Sequence, residues 1–257
     1  MTAPLLSLEG VSRGFRGDSG VEELVLEVAA GEIVALIGLN GAGKTTLMRL
    51  ALGMLRPREG TIRLFGVPLP HLPRRMWAQV GTLIETPPAY PELTVRQNLR
   101  LACLLRGTEP RCAEAALGTW RLDAVAARRF RRLSQGNRQR TGLALALQHD
   151  PRLIVLDEPG NALDPASVLL LREQLMRRAE AGAGVLVSSH HLDEVARIAD
   201  RILLMNAGRL IGELDPAGQD LERAFFARIR ADDTHRADDT HRTPDGDSAG
   251  GTRGGPA

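Results

Sequence analysis

One nine-residue stretch restricts this chain more than any other: Gly38-Leu39-Asn40-Gly41-Ala42-Gly43-Lys44-Thr45-Thr46. It fits the pattern G-x-x-x-x-G-K-[ST], whose glycines let backbone N–H groups turn inward and approach phosphate oxygens closely. An apolar run, Ile33–Ile37, precedes it, and a segment patterned as a helix follows from about Lys44 to Leu55. Strand, loop and helix in that order are the context the pattern needs, because the helix N-terminus adds partial positive charge to the cradle. Lys44 is expected to reach the β- and γ-phosphates, and Thr45 to offer a hydroxyl to Mg²⁺. Asn40, Gly41, Ala42, Gly43 and Thr46 complete the expected nucleotide-contacting loop. Composition sharpens the point: of 33 Lys plus Arg residues, Lys44 is the single lysine. A compact ammonium on a flexible stem does what a planar guanidinium fork does not.

The remaining pattern predicts an α/β fold. Residues 5–30 alternate apolar and polar and read as antiparallel strands. Further strands are expected at Gly60–Phe65, Leu153–Leu156, Gly184–Ser188 and Arg201–Met205. Helices are expected at Arg138–Gln148, Pro165–Ala181 and Leu192–Ala199, with residues 92–130 mostly helical. Strands alternating with helices argue for a mostly parallel core sheet covered on both faces. An antiparallel β subdomain and a helical subdomain at about residues 92–150 accompany it. Residues 231–257 hold almost no large apolar side chain and repeat ADDTHR at 231–236 and 237–242. Such a stretch buries too little to offset its ordering entropy, so a domain at 1–230 and a disordered polar tail at 231–257 are expected, with His235 and His241 solvated.

Several classes are set aside. No apolar run reaches the roughly 18 residues of a membrane span, and no secretory signal is evident, so a cytosolic chain is expected. Cys103 and Cys112 have no metal-ligand or CxxC spacing and are expected as unpaired thiols. The formal net charge of +2 gives no global signal for a polyanion, and Arg128-Arg129-Phe130-Arg131-Arg132 reads as a solvated basic face. Nucleic acid is not an expected partner.

A second motif follows the loop at the right order in the chain. Leu153-Ile154-Val155-Leu156-Asp157-Glu158 is an apolar strand ending in two carboxylates. Asp157 at the strand end can hold Mg²⁺, and Glu158, projecting differently, can act as general base for an attacking water. Alone this pattern is weak; behind a phosphate loop it is strong.

Leu133-Ser134-Gln135-Gly136-Asn137 resembles the signature of ABC ATPases, commonly Leu-Ser-Gly-Gly-Gln, and sits just upstream of the Asp-Glu strand as in that family. Asn161-Ala162-Leu163-Asp164 resembles the family's D-loop, and Ser188-Ser189-His190 its switch-histidine segment. The resemblance covers about residues 5–215 and implies the ABC-type fold of P-loop nucleotide hydrolases, with ATP and Mg²⁺. It implies that Ser134, Gly136 and Asn137 contact the γ-phosphate bound to an opposite subunit, with Asp164 nearby. One chain would then supply half of each site in a head-to-tail pair, of two copies or of this chain and a related one. It implies His190, in preference to His191, as the switch residue, and an aromatic, Phe15, stacked on adenine; a core role for Phe15 stays open.

Three positions in two motifs depart from the common pattern. Glu85 stands where the family usually has Gln, in Leu83-Ile84-Glu85-Thr86-Pro87, and is expected to contact nucleotide or Mg²⁺. This version resembles the bacitracin- and lantibiotic-exporter branch, which pairs with small membrane subunits and handles peptides, antibiotics or related amphiphiles. Asn137 and Gln135 depart from the signature, while Ser134 and Gly136 are retained. The implied function is an ATPase subunit on the inner face of the membrane, docked on a separate permease and driving export. A soluble ATPase of the same type acting on ribosomes or nucleic acid is the alternative; it usually carries two such domains or a coiled-coil insertion, and this chain has one domain and no heptad insertion.

Overall fold

The alternation across residues 5–30 folds into an antiparallel pair, β1 (Leu6–Gly14) and β2 (Gly20–Val28), with Leu6 opposite Val28 and Leu8 opposite Leu26. The computed structural model describes residues 3–14 and 20–241, with the side chains of 237–241 outside the description. Strand β3 (Ile33–Ile37) is buried at every position, as a continuous apolar run inside a two-faced sheet should be. Helix α1 (Lys44–Ala51) leaves the glycine-rich loop directly and ends earlier than the pattern predicts. Gly53, at φ 66°, turns the chain, and the N–H groups of Met54 and Leu55 fold back onto the Arg49 carbonyl. Strands β4 (Glu59–Leu64) and β5 (Val67–Pro68) return to the first pair, giving an antiparallel sheet of order β2-β1-β4-β5.

Strand β6 (Val80–Leu83) leads into the helical region. Helix α2 (Val95–Arg106) starts at a reciprocal cap: Gln97 N–H donates to Thr94 Oγ1, and Thr94 N–H to Gln97 Oε1. Helices α3 (Arg111–Thr119) and α4 (Gln135–Leu147) follow, then β7 (Leu153–Leu156), α5 (Pro165–Glu180), β8 (Gly184–Ser189) and the short α6 (Leu192–Val195). Strands β9 (Arg201–Asn206) and β10 (Arg209–Leu214) form a hairpin, and α7 (Leu221–His241) closes the described chain. The central sheet has order β10-β9-β3-β8-β7-β6 and is parallel except for β10.

Successive residues of the central strands enter different cores. Ile37, Ile154, Leu156 and Val187 pack with α2, α3, α4, α5 and α7. Leu36, Val155 and Leu186 pack with α1 and the antiparallel sheet. Leu47, Met48 and Leu50 of α1 are completely buried there, each contributing about 1.5–3 kcal/mol. That interlayer packing fixes α1, and with it the loop it grows from. Among the described residues no helix is long and apolar enough to cross a membrane.

Three expectations are corrected. Cys103 and Cys112 are joined in a disulfide between α2 and α3. Their linear spacing was uninformative, because Gly107 ends α2 in a left-handed turn that folds α3 back and brings the two Cα atoms to 6.9 Å. Helix α7 runs through 231–241, where composition predicts a disordered tail; residues 242–257 lie outside the description. Buried Phe225 and Ile229, one turn apart, anchor the helix, and Asp232 and Asp233 accept hydrogen bonds from Asn206. Strands β6 and β10 complete the sheet where the pattern predicted none.

His149, between α4 and β7, gives the fold a pH dependence. Its ring lies 3.1 Å from Arg106 and 3.3 Å from the Val80 carbonyl oxygen. Burial, with the positive charge of Arg106 beside it, lowers its pKa to about 4. An unfolded histidine titrates near 6.5, so between about pH 6.5 and pH 4 the unfolded chain binds a proton the folded chain does not. Stability is therefore lost as pH falls through that window. Urea titrations should show a loss from this residue on the order of 1–2 kcal/mol between about pH 7 and pH 5, and His149→Gln should flatten that slope. An unchanged slope in the variant would contradict the assignment.

Candidate nucleotide site

The loop between β3 and α1 can only be built with glycine at its key positions. A Cβ on Gly38 would lie 2.3 Å from the Met205 carbonyl oxygen and 2.9 Å from the Ala42 Cβ. Gly41 and Gly43 have φ of 84° and 107°, a region that L-residues with side chains seldom enter. No side chain caps α1, so its first-turn N–H groups are left for an acceptor in the loop. Asn40 and Gly41 are exposed at the loop tip, while Ala42 is buried and Thr46 half-buried on the helix. The Lys44 ammonium is buried and folded back over the loop, donating to the Gly38 and Leu39 carbonyls at 2.7 and 3.3 Å.

Three strand ends meet this loop. Thr45 Oγ1 donates to Asp157 Oδ2 at 2.7 Å, and Ser188 Oγ donates to Asp157 Oδ1 at 2.6 Å. Ser188 Oγ also accepts from the Glu158 N–H at 2.9 Å. Glu158 has φ 47°, which turns its side chain away from that of Asp157. Its carboxylate lies 2.8 Å from His190 Nδ1 and 3.5 Å from Lys44 Nζ. Lys44, Thr45, Asp157, Glu158 and His190 thus converge at the carboxyl ends of β3, β7 and β8, where open α/β sheets bind ligands. His191 instead begins α6, its N–H bonded to Ser189 Oγ and its ring 3.9 Å from that of His190.

The other predicted residues have partners outside this cluster. Glu85 has φ 57° and pairs with Arg49 on α1, one helical turn beyond Thr45, at 2.5 Å. Ser134 caps α4 by accepting from the Asn137 N–H at 3.4 Å, and Asn137 Oδ1 accepts from Arg140 at 2.5 Å. Gly136 is pressed against the Ala162 carbonyl, which a Cβ would meet at 3.0 Å. Asp164 caps α5; the Ser167 N–H, at 2.7 Å, holds its carboxyl below the usual range. Gln139 donates to the Pro159 carbonyl at 2.9 Å, linking α4 to the turn after Glu158. Phe15 lies outside the described residues.

Sequence reasoning missed Ser188 as the residue that ties the Asp157 carboxylate to the Glu158 backbone. Its signal was a small polar residue directly after Val185-Leu186-Val187, where a buried strand would otherwise continue apolar. Among the described residues no cluster of three or more His, Cys, Asp or Glu side chains could hold a metal by itself. The Thr45 hydroxyl and Asp157 carboxylate are hard oxygen donors that suit Mg²⁺, which takes its other oxygens from water and from the phosphates of a nucleotide.

A phosphate loop, a strand-end carboxylate pair and a histidine facing them define a nucleotide hydrolase. Residues 21–161 match the family described as ABC transporter, and this chain belongs to that family. It is 37% identical over 213 residues to the bacitracin transport ATP-binding protein of Enterococcus faecalis, covering 82% of this chain and 69% of that protein. It is 36% identical over 220 residues to the Nod factor export ATP-binding protein of Bradyrhizobium diazoefficiens, covering 84% and 72% of the two chains. A solved ATP-binding subunit of an ABC transporter superposes with a TM-score of 0.77 at 31% identity, covering 91% of this chain and 98% of that one. A dimeric bacterial ABC transporter cassette shares the fold with a TM-score of 0.76 at 23% identity, covering 83% and 99%. The chain binds and hydrolyses ATP as the subunit that powers an ABC transporter.

Two substitutions test the geometry. Lys44→Ala should abolish ATP hydrolysis, because it removes the one cation buried in the loop; normal turnover in a phosphate-release assay would contradict this. Ser188→Ala leaves an Asp157 oxygen and the Glu158 N–H without their shared partner, at a stability cost of about 1–3 kcal/mol. It should lower kcat at least about tenfold while leaving ATP affinity near wild type. A variant that is merely less stable, with kcat per folded molecule unchanged, would remove Ser188 from the site.

Proposed function

We propose that this chain hydrolyses Mg²⁺-ATP at a site completed by a second ATPase subunit, and thereby drives export through a separate membrane permease. The observation that carries the reading is the position of Glu158, hydrogen-bonded to His190 and ion-paired with Lys44. Lys44 is held by two loop carbonyls and Glu158 until polyphosphate competes for it. Its transfer to the β- and γ-phosphates leaves Glu158 paired with His190 alone. Glu158 then accepts a proton from the water whose oxygen attacks the γ-phosphorus as the bond to the β,γ-bridging oxygen breaks. His190 orients that carboxylate and adds hydrogen-bonding capacity next to the developing charge. Thr45 and Asp157 would hold Mg²⁺, which offsets charge on the phosphate oxygens when bound.

The trans half of the site falls to Ser134, Gly136 and Asn137 of a partner, at the N-terminus of a 13-residue helix whose dipole favours an anion. Asp164 and the Ala162 turn, packed against Gly136, would sit at the same seam. Glu85, which pairs with Arg49 one helical turn beyond Thr45, is read as a further contact to the nucleotide or its Mg²⁺. The relatives named for bacitracin transport and Nod factor export support export of a peptide, antibiotic or other amphiphile. The subunit would then work at the inner face of the cell membrane.

Glu158→Gln should bind ATP, hydrolyse it slowly and run as a dimer in gel filtration with light scattering when ATP is present. Captured from detergent-solubilised membranes of its host, the same variant should bring down a multi-span membrane protein. A monomer under all conditions would defeat the two-subunit site, and recovery of ribosomes with no membrane protein would defeat the permease.

A further inference from the structure

We propose that Asp232 and Asp233, in the first ADDTHR unit, are positioning residues for ATP: from α7 they hold the turn on which the phosphate loop rests. The proposal rests on the reading of Gly38–Thr46 as the ATP site. The turn is the two-residue connection Ala207-Gly208 between β9 and β10, flanked by the paired residues Asn206 and Arg209. Both connecting residues have positive φ, 43° at Ala207 and 83° at Gly208. Such tight hairpins favour Asn or Gly at the first position, since a side chain there is crowded. Alanine offers no hydrogen bond of its own to hold that conformation, so the restraint has to come from outside the turn.

The restraint comes from α7. The buried Asn206 amide donates both N–H bonds to it, one to Asp232 Oδ2 and one to Asp233 Oδ1, each at 2.8 Å. On the opposite flank Arg209 pairs with Asp232 at 3.6 Å. Asp232 therefore grips both flanks of the turn. The turn in turn carries the loop. Gly208 N–H donates to the Ala42 carbonyl at 2.8 Å, and the Gly208 carbonyl accepts from Glu22 N–H at 2.9 Å. The Met205 carbonyl closes against Gly38, and the Met205 Cε would lie 2.8 Å from a Cβ on Gly43. Three loop residues thus rest on residues 205–208. About two turns earlier on α7, Phe225 and Phe226 line a cavity of about 440 Å³ with Gly38, Leu39 and His190, so the helix borders the loop at a second place. A polar segment that composition assigns to a tail is a strut under the phosphate loop.

The test uses the full chain and Mg²⁺-ATP, with affinity from isothermal titration and kcat at saturating ATP. Alanine is the best helix former, so Asp232→Ala with Asp233→Ala does not weaken α7 by propensity. Asp232→Asn with Asp233→Asn keeps an acceptor oxygen at each position. The alanine pair should raise the Kd for ATP about five- to tenfold with kcat little changed, and the asparagine pair should restore near wild-type affinity. Asn206→Leu should weaken binding similarly and add little to the alanine pair, since both break one contact. Wild-type affinity in the alanine pair, with or without a lower melting temperature, overturns the proposal. An asparagine pair as impaired as the alanine pair overturns it too, because the two short bonds to Asn206, and not the longer pair between Asp232 and Arg209, carry the proposal. A wild-type chain that fails to bind ATP overturns the site reading itself; wild-type binding that Lys44→Ala abolishes keeps that reading intact whatever the α7 variants do.

Discussion

Asp157 is buried with both carboxylate oxygens occupied, and the arrangement of the site follows from that. One oxygen reaches Thr45 on the first turn of α1, the other Ser188 at the end of β8. A buried carboxylate tolerates neither an empty partner nor a loose one, because desolvation must be offset by hydrogen bonds of good geometry. The result is a tie between three segments far apart in sequence. Ser188 extends the tie by one bond to the Glu158 N–H, so the residue after Asp157 is held in a left-handed conformation with its side chain on the phosphate side. Lys44 and His190 then have a carboxylate to meet.

Around this tie the interlayer core acts as a rigid mount. Leu47, Met48 and Leu50 seat α1 between two sheets, so Thr45 cannot drift from Asp157 without opening a buried core. The second group of residues, at the N-termini of α4 and α5, is connected to the first through the Gln139 bond to the Pro159 carbonyl. A shift of α4 relative to the sheet would be felt directly at the turn that follows Glu158. That is the kind of contiguous path through which contact with a second subunit can reach the chemistry.

What could be read from the residues alone was whatever depends on local pattern. Ile33–Ile37 and Leu153–Leu156 form strands with the bounds predicted, because uninterrupted apolar runs between turn residues have one stable outcome. The glycines of the phosphate loop and the Asp-Glu pair were legible for the same reason. Non-local contacts were not. β6 contains Gly81 and Thr82 and borrows its identity from pairing with β7. Helix α7 was hidden because its order comes from Asn206, far earlier in the chain, and from two buried apolar residues outside the repeat. The disulfide was hidden because spacing in sequence does not reveal a helical hairpin. Glu85 was expected at the nucleotide on its position in the motif, and only the fold supplies Arg49 as its partner.

The scarcity of lysine has a practical side. Lys44 is the single lysine of the chain, and its side chain is only 7% exposed, folded under the phosphate loop. Apart from the α-amino group, amine-directed chemistry therefore meets a molecule with one target. Acylation, reductive methylation or an isotope label at lysine becomes a single-site report on the loop, with no background from the surface. The rate at which such a reagent reaches Lys44 measures how often the loop opens, and protection by nucleotide measures how often it is filled. The same economy means that an acetyl group added enzymatically at lysine could fall nowhere else on the side chains of this protein.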